Sequence, residues 1–522
     1  MNKEVIKANV VVFIASFCTL VIELVAGRIM APYVGVSLYT WTSIIGVVLA
    51  GISIGAYAGG LIADRYPRTS TLGWLLFLSG LGALIISPLT NLIGAAQMQT
   101  TLMVRILILT TAIFFIPSCI LGMISPVVVK LTLNNLSKTG NVVGKIYAFS
   151  TLGSIIGTFA TGFFLISWMG TRNLLLVMAV ILVLSALVFG GAFSRRKAVF
   201  AVLAVLTPLV WVFYGYAFKP PLDENFYYYF KESDYYTIKL SRYETRDGQR
   251  AEALILDNLI HSINVLDNPL YLDYEYLQIY DEFMRWRTKK QRSPQTLFIG
   301  GGGYTYPRYL EVKYPSAGID VVEIDPEITK VVYDYLGVPK DTRIRSFNED
   351  GRWFVMNCGN KGKYDFIFGD AFNDLSIPYH LTTKEFAQQL MDLLKPDGIL
   401  LANMIDSYEK GLMLPSYIRT LEQVFGKGHV HLVALTPDFK GISTCVVVAS
   451  RKSLDLDSFV RTIKSEGGTE MVSHVIPQER LQEHLAKRPF VILTDDYVPV
   501  DNLVAPIFEE RFGYKKNREA EE

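Results

Sequence analysis

Acidic side chains are almost missing from the first 218 residues. That stretch holds three, Glu4, Glu23 and Asp64, against thirteen lysines and arginines. The rest of the 522-residue chain carries 46 acidic and 37 basic residues, so an overall charge of +1 conceals a second part at −9. Such a split excludes one soluble fold. The acidic part has no basic stripe to meet a phosphate backbone, which argues against a nucleic-acid partner. Cysteine is scarce as well. Cys18, Cys119, Cys358 and Cys445 are the full set, and none is spaced as clustered metal ligands are. Neither a disulfide framework nor a zinc site is indicated. No Gly-Lys-Ser or Gly-Lys-Thr occurs, which removes the usual nucleoside triphosphate loop.

Long apolar runs are what the first part has instead. Seven are read, at about 8–30, 39–63, 71–93, 101–128, 142–168, 173–193 and 198–218. Each is long enough to cross a hydrocarbon layer of ~30 Å. Gly46, Gly51, Gly55, Gly59 and Gly60, and later Gly153, Gly157 and Gly162, supply small residues for close helix packing in lipid. Glu23 and Arg28 put charge in or near the first run, where it needs a partner, water or a functional role. In the fourth run Pro117 and Gly122-Met-Ile-Ser-Pro126 predict a break, with an amphipathic tail beyond it. Positive charge at Lys3, Lys7, Arg65, Arg68, Lys130, Lys138, Lys145 and Arg195–Lys197 falls on one side, which puts the N-terminus in the cytoplasm. Seven full crossings would then place residues 219–522 outside. A nucleoside made in the cytoplasm favours the opposite, with the fourth or seventh run not crossing fully.

The expected domains are therefore a membrane domain over 1–218, a junction with a small β unit and a helix over 219–287, and a nucleoside-binding α/β domain over 288–522. At the junction, Phe226–Phe230 reads as an aromatic belt or the start of a strand. Residues 234–240 and a hairpin turning at Asp257-Asn258 make the β unit, and Leu270–Arg287 has helical spacing.

The second part is organised around Gln295-Thr-Leu-Phe-Ile-Gly-Gly-Gly-Gly-Tyr304, an apolar strand running into four glycines. About twenty residues on comes Asp320-Val-Val-Glu-Ile-Asp325, a second strand ending in acid. Further expected elements are a helix from near Pro307, a helix at 327–336, a short strand at Arg343-Ile-Arg345 and a strand at 365–370. A helix over Thr383–Leu394, stopped by Pro396-Asp397-Gly398, precedes strands at 399–404, 429–435 and 443–449. This is a doubly wound sheet, and in such sheets ligands collect beyond the carboxyl ends of the strands. Glu323, Asp325, Asp350 and Asp370 stand at successive ends. Gly300 and Gly302 let the chain turn sharply against a ligand. Thr305 stands where the dinucleotide pattern has its third glycine, so a nucleoside without a pyrophosphate fits better than NAD.

With these residues in place, the chain resembles the spermidine synthase family of aminopropyltransferases, in the form fused to a multi-spanning membrane region. The core motifs are Leu256-Asp257-Asn258-x-x-His261-Ser262, Ile299-Gly-Gly-Gly-Gly303, Val322-Glu-Ile-Asp325, Asp350-Gly-Arg352, and Asp370 with Leu381-Thr-x-x-x-Phe386. The fused form is resembled through Glu23-Leu-Val-Ala-Gly-Arg28, Gly122-Met-Ile-Ser-Pro126 and Leu493-Thr-Asp-Asp-Tyr-Val-Pro-Val-Asp-Asn-Leu503. The resemblance implies a class I methyltransferase-like fold and decarboxylated S-adenosylmethionine as co-substrate, with no tightly bound cofactor or metal. It implies that Glu323 holds the ribose hydroxyls, that Asp350 with Gly351 takes the adenine amino group, and that Asp370 is the base orienting the attacking amine. Gly300, Gly302 and Asp325 complete the nucleoside site. A small amine or polyamine is the implied acceptor, the bilayer a partner, and a homodimer an expectation.

Several positions depart from the family pattern. Gly303 stands where the family has Asp, Tyr304 where it has Gly, Asn258 for Gly and His261 for Gln. Asn373 aligns with a second acid, with Asp374 beside it, and Tyr274-Glu275-Tyr276 echoes an acid-bearing stretch loosely. His261, Tyr304, Asn373 and Asp374 are thus the candidate substrate contacts. An aspartate at 303 would oppose a donor carboxylate, so its replacement keeps open a methyltransferase using S-adenosylmethionine itself. A transporter with a nucleoside-sensing domain is the third reading.

Overall fold

A computed structural model describes residues 3–35, 37–94, 98, 100–133, 139–190, 227–245, 247–257, 259–288, 293–372, 377–437, 441–465 and 471–512. The chain divides into two compact units. One is Met1–Leu222 with Phe230–Thr237 and Phe512–Glu522; the other is Asp223–Tyr229 with Ile238–Arg511.

The first unit is helical. It contains α1 (Lys3–Val34), α2 (Leu38–Arg65), α3 (Thr69–Ile93), α4 (Leu102–Gly122), α5 (Ile124–Thr132), α6 (Thr139–Ala160) and α7 (Ile166–Phe189), with a π turn at Thr161–Leu165. Five stretches are long and apolar enough to cross a membrane: Glu4–Val34, Leu38–Arg65, Thr69–Ile93, Leu102–Thr132 and Thr139–Phe189. This is the pattern of a multi-pass membrane protein. The last stretch has 51 residues. At ~1.5 Å per residue it exceeds one crossing of ~30 Å, and it turns at Gly170, where φ is 73°. The first six expected runs fall on these helices. The seventh, 198–218, lies outside the described residues.

Glycine sets how closely the helices approach. A Cβ at Gly51 would come within 2.8 Å of Ser118 Cβ, one at Gly59 within 2.6 Å of Met123, and one at Gly55 would overlap the Cys119 carbonyl. So α2 and α4 meet backbone to backbone. Gly153 and Gly157 do the same against Phe13 and Phe17 of α1, whereas Gly46, Gly60 and Gly162 face no neighbour within 4 Å. The expected break in the fourth run falls at Met123, between α4 and α5, and Lys130 beyond it pairs with Asp64 at 2.6 Å. Arg28 donates to the backbone carbonyls of Ser233 (2.6 Å) and Asp234 within the same unit.

After β1 (Tyr229–Glu232) come β2 (Thr237–Glu244), β3 (Arg250–Leu256) and β4 (Leu259–Asn264). β2, β3 and β4 form an antiparallel meander. Asp257 opens the tight β3–β4 turn with φ at 53°. The aromatic run before residue 231 thus ends in a strand, Tyr229–Glu232. Helix α8 (Glu275–Thr288) starts five residues later than its spacing suggested.

The nucleotide fold then runs β5 (Gln295–Ile299), α9 (Thr305–Lys313), β6 (Gly318–Val322), α10 (Pro326–Tyr335), β7 (Arg345–Phe347), α11 (Gly351–Asn357), β8 (Tyr364–Gly369), α12 (Lys384–Leu393), β9 (Leu394–Ser407), α13 (Met413–Phe425), β10 (Val430–Ala434) and β11 (Ile442–Ser450). It closes with α14 (Leu456–Ser465), β12 (His474–Val475), α15 (Gln478–Lys487) and α16 (Val500–Phe512). Eight strands make one sheet in the order β12-β10-β11-β9-β8-β5-β6-β7. From β5 to β9 the pairs are parallel, and β9, β11, β10 and β12 are antiparallel. The parallel strands are near-continuous apolar runs whose consecutive residues are buried, as expected of a sheet covered on both faces.

Two boundaries differ from the sequence reading. The short strand is Arg345–Phe347, not Arg343–Arg345. Pro396-Asp397-Gly398 does not stop the helix: α12 ends at Leu393, β9 begins at Leu394, and the three residues sit in an irregularity between the pairs Tyr364–Leu394 and Phe366–Ile399.

Candidate active site

Strand register lines up the site. Ile299 pairs with Val322 and with Gly369, Gly369 pairs with Ala402, and Val322 with Phe347. The residues that follow, Gly300, Glu323, Asp370 and Asn403, therefore stand in a row along the carboxyl edge. The chain leaves β5 toward β6 on one side and returns as β8 on the other, so the crevice between β5 and β8 is the topological switch point where such folds bind ligands.

Glycine is required at the start of the turn. At Gly300 φ is 95°, and a Cβ would come within 2.5 Å of the Asp370 carbonyl oxygen. That close approach brings the two strand ends together, with Asp370 N–H donating to Ile299 O at 2.8 Å. Glu323 fastens the turn. One carboxylate oxygen accepts from Gly301 N (2.9 Å) and Gly302 N (3.2 Å), the other from Asp325 N (3.0 Å). Burial raises the Glu323 pKa, and the amide bonds from Asp325 and Gly301 oppose the rise. Gly302 keeps open space on its outer side, with nothing within 4 Å of a built Cβ.

Asp370 stands at the wall of a cavity of about 180 Å³, bordered by the glycine turn, Ser262, Tyr276, Tyr306 and Asn403. Its oxygens accept from Tyr276 Oη at 3.0 Å and from Asn403 Nδ2 at 2.8 Å. Burial lifts its pKa to about 6, against the pull of those two bonds. A carboxylate lifted toward neutrality and set in a cleft is a group poised for proton transfer.

Residues 287–458 match the family described as "Spermine/spermidine synthase domain". The chain is 33% identical over 162 residues to the "Polyamine aminopropyltransferase" of Vibrio vulnificus, covering 30% of this chain and 53% of the relative. It is 28% identical over 239 residues to the "Probable polyamine aminopropyl transferase" of Bifidobacterium longum, covering 43% and 52%. It thus spans about half the length of these two relatives. Against "Polyamine aminopropyltransferase 2" of Aquifex aeolicus it is 22% identical over 471 residues, covering 87% of this chain and 90% of the relative. The chain is homologous to the polyamine aminopropyltransferases.

Within that homology the expected site residues divide. Gly300, Gly302, His261 and Asp370 border the cavity. Glu323 lies directly beneath the glycine turn. Asp325 is buried and caps α10, accepting from Glu327 N at 2.9 Å. Asp350 caps α11 through Arg352 N and Trp353 N and meets His380 Nε2 at 2.7 Å. Desolvation pushes the Asp350 pKa up, but the bonds from Trp353, His380 and Arg352 leave it below its ordinary value. Gly351 packs where a Cβ would come within 2.8 Å of Ile299 Cγ2. Tyr304 does not border the cavity. Its ring is fully buried, its backbone is left-handed at φ 55°, and its hydroxyl bonds Ser346 at 3.1 Å. Asn373 and Asp374 lie outside the described residues.

Gly303 is bare for a local reason. A Cβ there would overlap the Ser262 hydroxyl, which is buried and unpartnered among the described residues. Asn264 braces the same turn, donating to Gly303 O at 2.7 Å and accepting from the Thr305 hydroxyl. Sequence reasoning missed Asn403 and His380 and gave Tyr276 no role. The available signal for Asn403 was an amide inside the apolar strand Ile399–Met404.

Proposed function

We propose that the second unit transfers an aminopropyl group from decarboxylated S-adenosylmethionine to an amine. The observation that carries this reading is the pairing of Asp370 with an open glycine turn across one crevice. An ammonium has no lone pair and cannot attack. Asp370 takes its proton, and the freed pair forms a bond to the carbon next to the donor sulfonium. That carbon–sulfur bond breaks, its electrons pass to sulfur, and the sulfonium leaves as a neutral thioether. The Tyr276 and Asn403 bonds fix the carboxylate toward the cavity, and holding both reactants there supplies much of the rate. Glu323 holds the ribose and Asp350 the adenine edge. The helices of the first unit anchor the enzyme in a bilayer, and the site faces the cytoplasm, where the donor is made. The test is calorimetry on detergent-purified protein. Binding of decarboxylated S-adenosylmethionine at least tenfold tighter than S-adenosylmethionine is expected, and the reverse order would overturn the reading.

Gly303 favours a second reading. With no carboxylate at that position, a donor carboxylate would meet the Ser262 hydroxyl instead of a like charge. S-adenosylmethionine-dependent methyl transfer is that alternative.

A further inference from the structure

Three acidic residues precede residue 219, and two of them stand at span ends with a partner. Glu4 pairs with Lys7 at 3.5 Å and Asp64 with Lys130 at 2.6 Å. Glu23, the third, is half-buried and makes no hydrogen bond or ion pair among the described residues. It lies four residues, ~6 Å, from the middle of the span Glu4–Val34. The cations around it are used elsewhere. Arg28 donates to the Ser233 and Asp234 carbonyls, Arg105 to the Gly94 carbonyl at 3.3 Å, and Arg172 offsets the charge of Glu232. The run 198–218 contains no lysine, arginine or histidine. A carboxylate unpaired at that depth is costly, and such residues mark ion and substrate sites.

The face of α1 that bears Glu23 is polar on one side and aromatic on the other. Ser16 and Asn9 stand seven and fourteen residues before it, so the three share one face with a drift of ~20° per heptad. Ser16 Oγ meets Ser150 Oγ of α6 at 2.6 Å. Asn9 is 2% exposed, and neither of its amide atoms has a hydrogen-bond partner among the described residues. A buried amide left so is open to water or a ligand. Gly27 lies one turn beyond Glu23 on the same face. A Cβ there would come within 2.6 Å of the Trp41 indole, so that ring packs on the turn that carries Glu23.

We infer that Glu23 is the counter-charge of a binding site for a free, singly charged organic ammonium ion within the membrane unit. One carboxylate balances one charge. A divalent cation needs several oxygen ligands, and the first 218 residues hold no other unpaired acid and no histidine. The indole face beside the carboxylate attracts an ammonium group. The depth of Glu23 sets it below the headgroups of a ~30 Å layer, so the ion is free rather than part of a lipid. The site is independent of the reaction proposed for the second unit.

The test is labelling of the full chain by dicyclohexylcarbodiimide, which attaches to carboxyl groups in apolar surroundings, in nanodiscs of phosphatidylglycerol, a lipid without an ammonium group. Modification of Glu23 is read by mass spectrometry. Tetramethylammonium chloride is the probe, because its nitrogen has no lone pair to consume the reagent, and sodium chloride at equal ionic strength is the control. Labelling of Glu23 should slow at least tenfold with the probe and less than twofold with sodium. Trp41→Leu should need at least threefold more probe for the same protection. No labelling at Glu23, or equal rates in the two salts, overturns the inference. Slowed labelling in phosphatidylcholine discs without added probe would assign the site to a lipid headgroup and overturn it as well.

Discussion

The phenol of Tyr276 donates to Asp370 Oδ2 at 3.0 Å, joining α8 to the end of β8 across 94 residues of sequence. The bond stabilises the ionised carboxylate. Its loss in Tyr276→Phe should raise the Asp370 pKa above its present value of about 6 by roughly one unit. The acidic limb of kcat/KM then moves to higher pH by the same amount, while activity at pH 9 changes little. A profile that stays in place would mean that Tyr276 does not tune Asp370.

Asp370→Asn removes the proton acceptor and keeps the shape. Turnover should fall by at least ~100-fold, with nucleoside binding kept within about tenfold. Normal turnover in this variant would end the base assignment.

The same variant carries a stability signature. Asp370 titrates at about 6 in the folded chain against an ordinary value of 3.8, because burial disfavours the charge. A folded-state pKa raised in this way gives stability that is full below pH 4 and lost as pH rises through 6. Above that, the buried charge costs on the order of 3 kcal/mol. Asp370→Asn should therefore unfold at higher temperature than the parent at pH 8, with the difference shrinking at pH 5. A pH-independent difference would contradict the buried-charge account.

How far the sequence foretold this site depends on the range of each interaction. Glu323 and Asp370 were legible because each closes a run of apolar residues, and strand ends with a glycine turn are a local pattern. Asn403 was not, because its meeting with Asp370 follows from the register of β8 on β9, 33 residues apart. Pro396-Asp397-Gly398 carries the residues of a helix stop, yet the chain absorbs them as an irregularity within a strand. The glycines of α2 and α6 showed that helices would pack closely, but only the packed helices separate Gly51, Gly55 and Gly59 from Gly46 and Gly60.

Glu323→Ala should weaken nucleoside binding at least ~tenfold, since it strips three backbone amides at the turn of their acceptor. Calorimetry that finds unchanged affinity would remove Glu323 from the nucleoside site.

Gly55→Leu places a side chain into the Cys119 carbonyl and forces α2 away from α4. The variant should lose several degrees of thermal stability in detergent, whereas Gly60→Leu, which faces open space, should lose little. Equal effects at the two positions would contradict the packing.

The reaction itself is tested most directly by the identity of the spent nucleoside. Purified protein is given equimolar decarboxylated S-adenosylmethionine and S-adenosylmethionine with a set of amines, and the products are read by mass spectrometry. The account predicts 5′-methylthioadenosine together with an amine heavier by one aminopropyl group, both absent with Asp370→Asn. S-adenosylhomocysteine with a methylated product, and no 5′-methylthioadenosine, would contradict it.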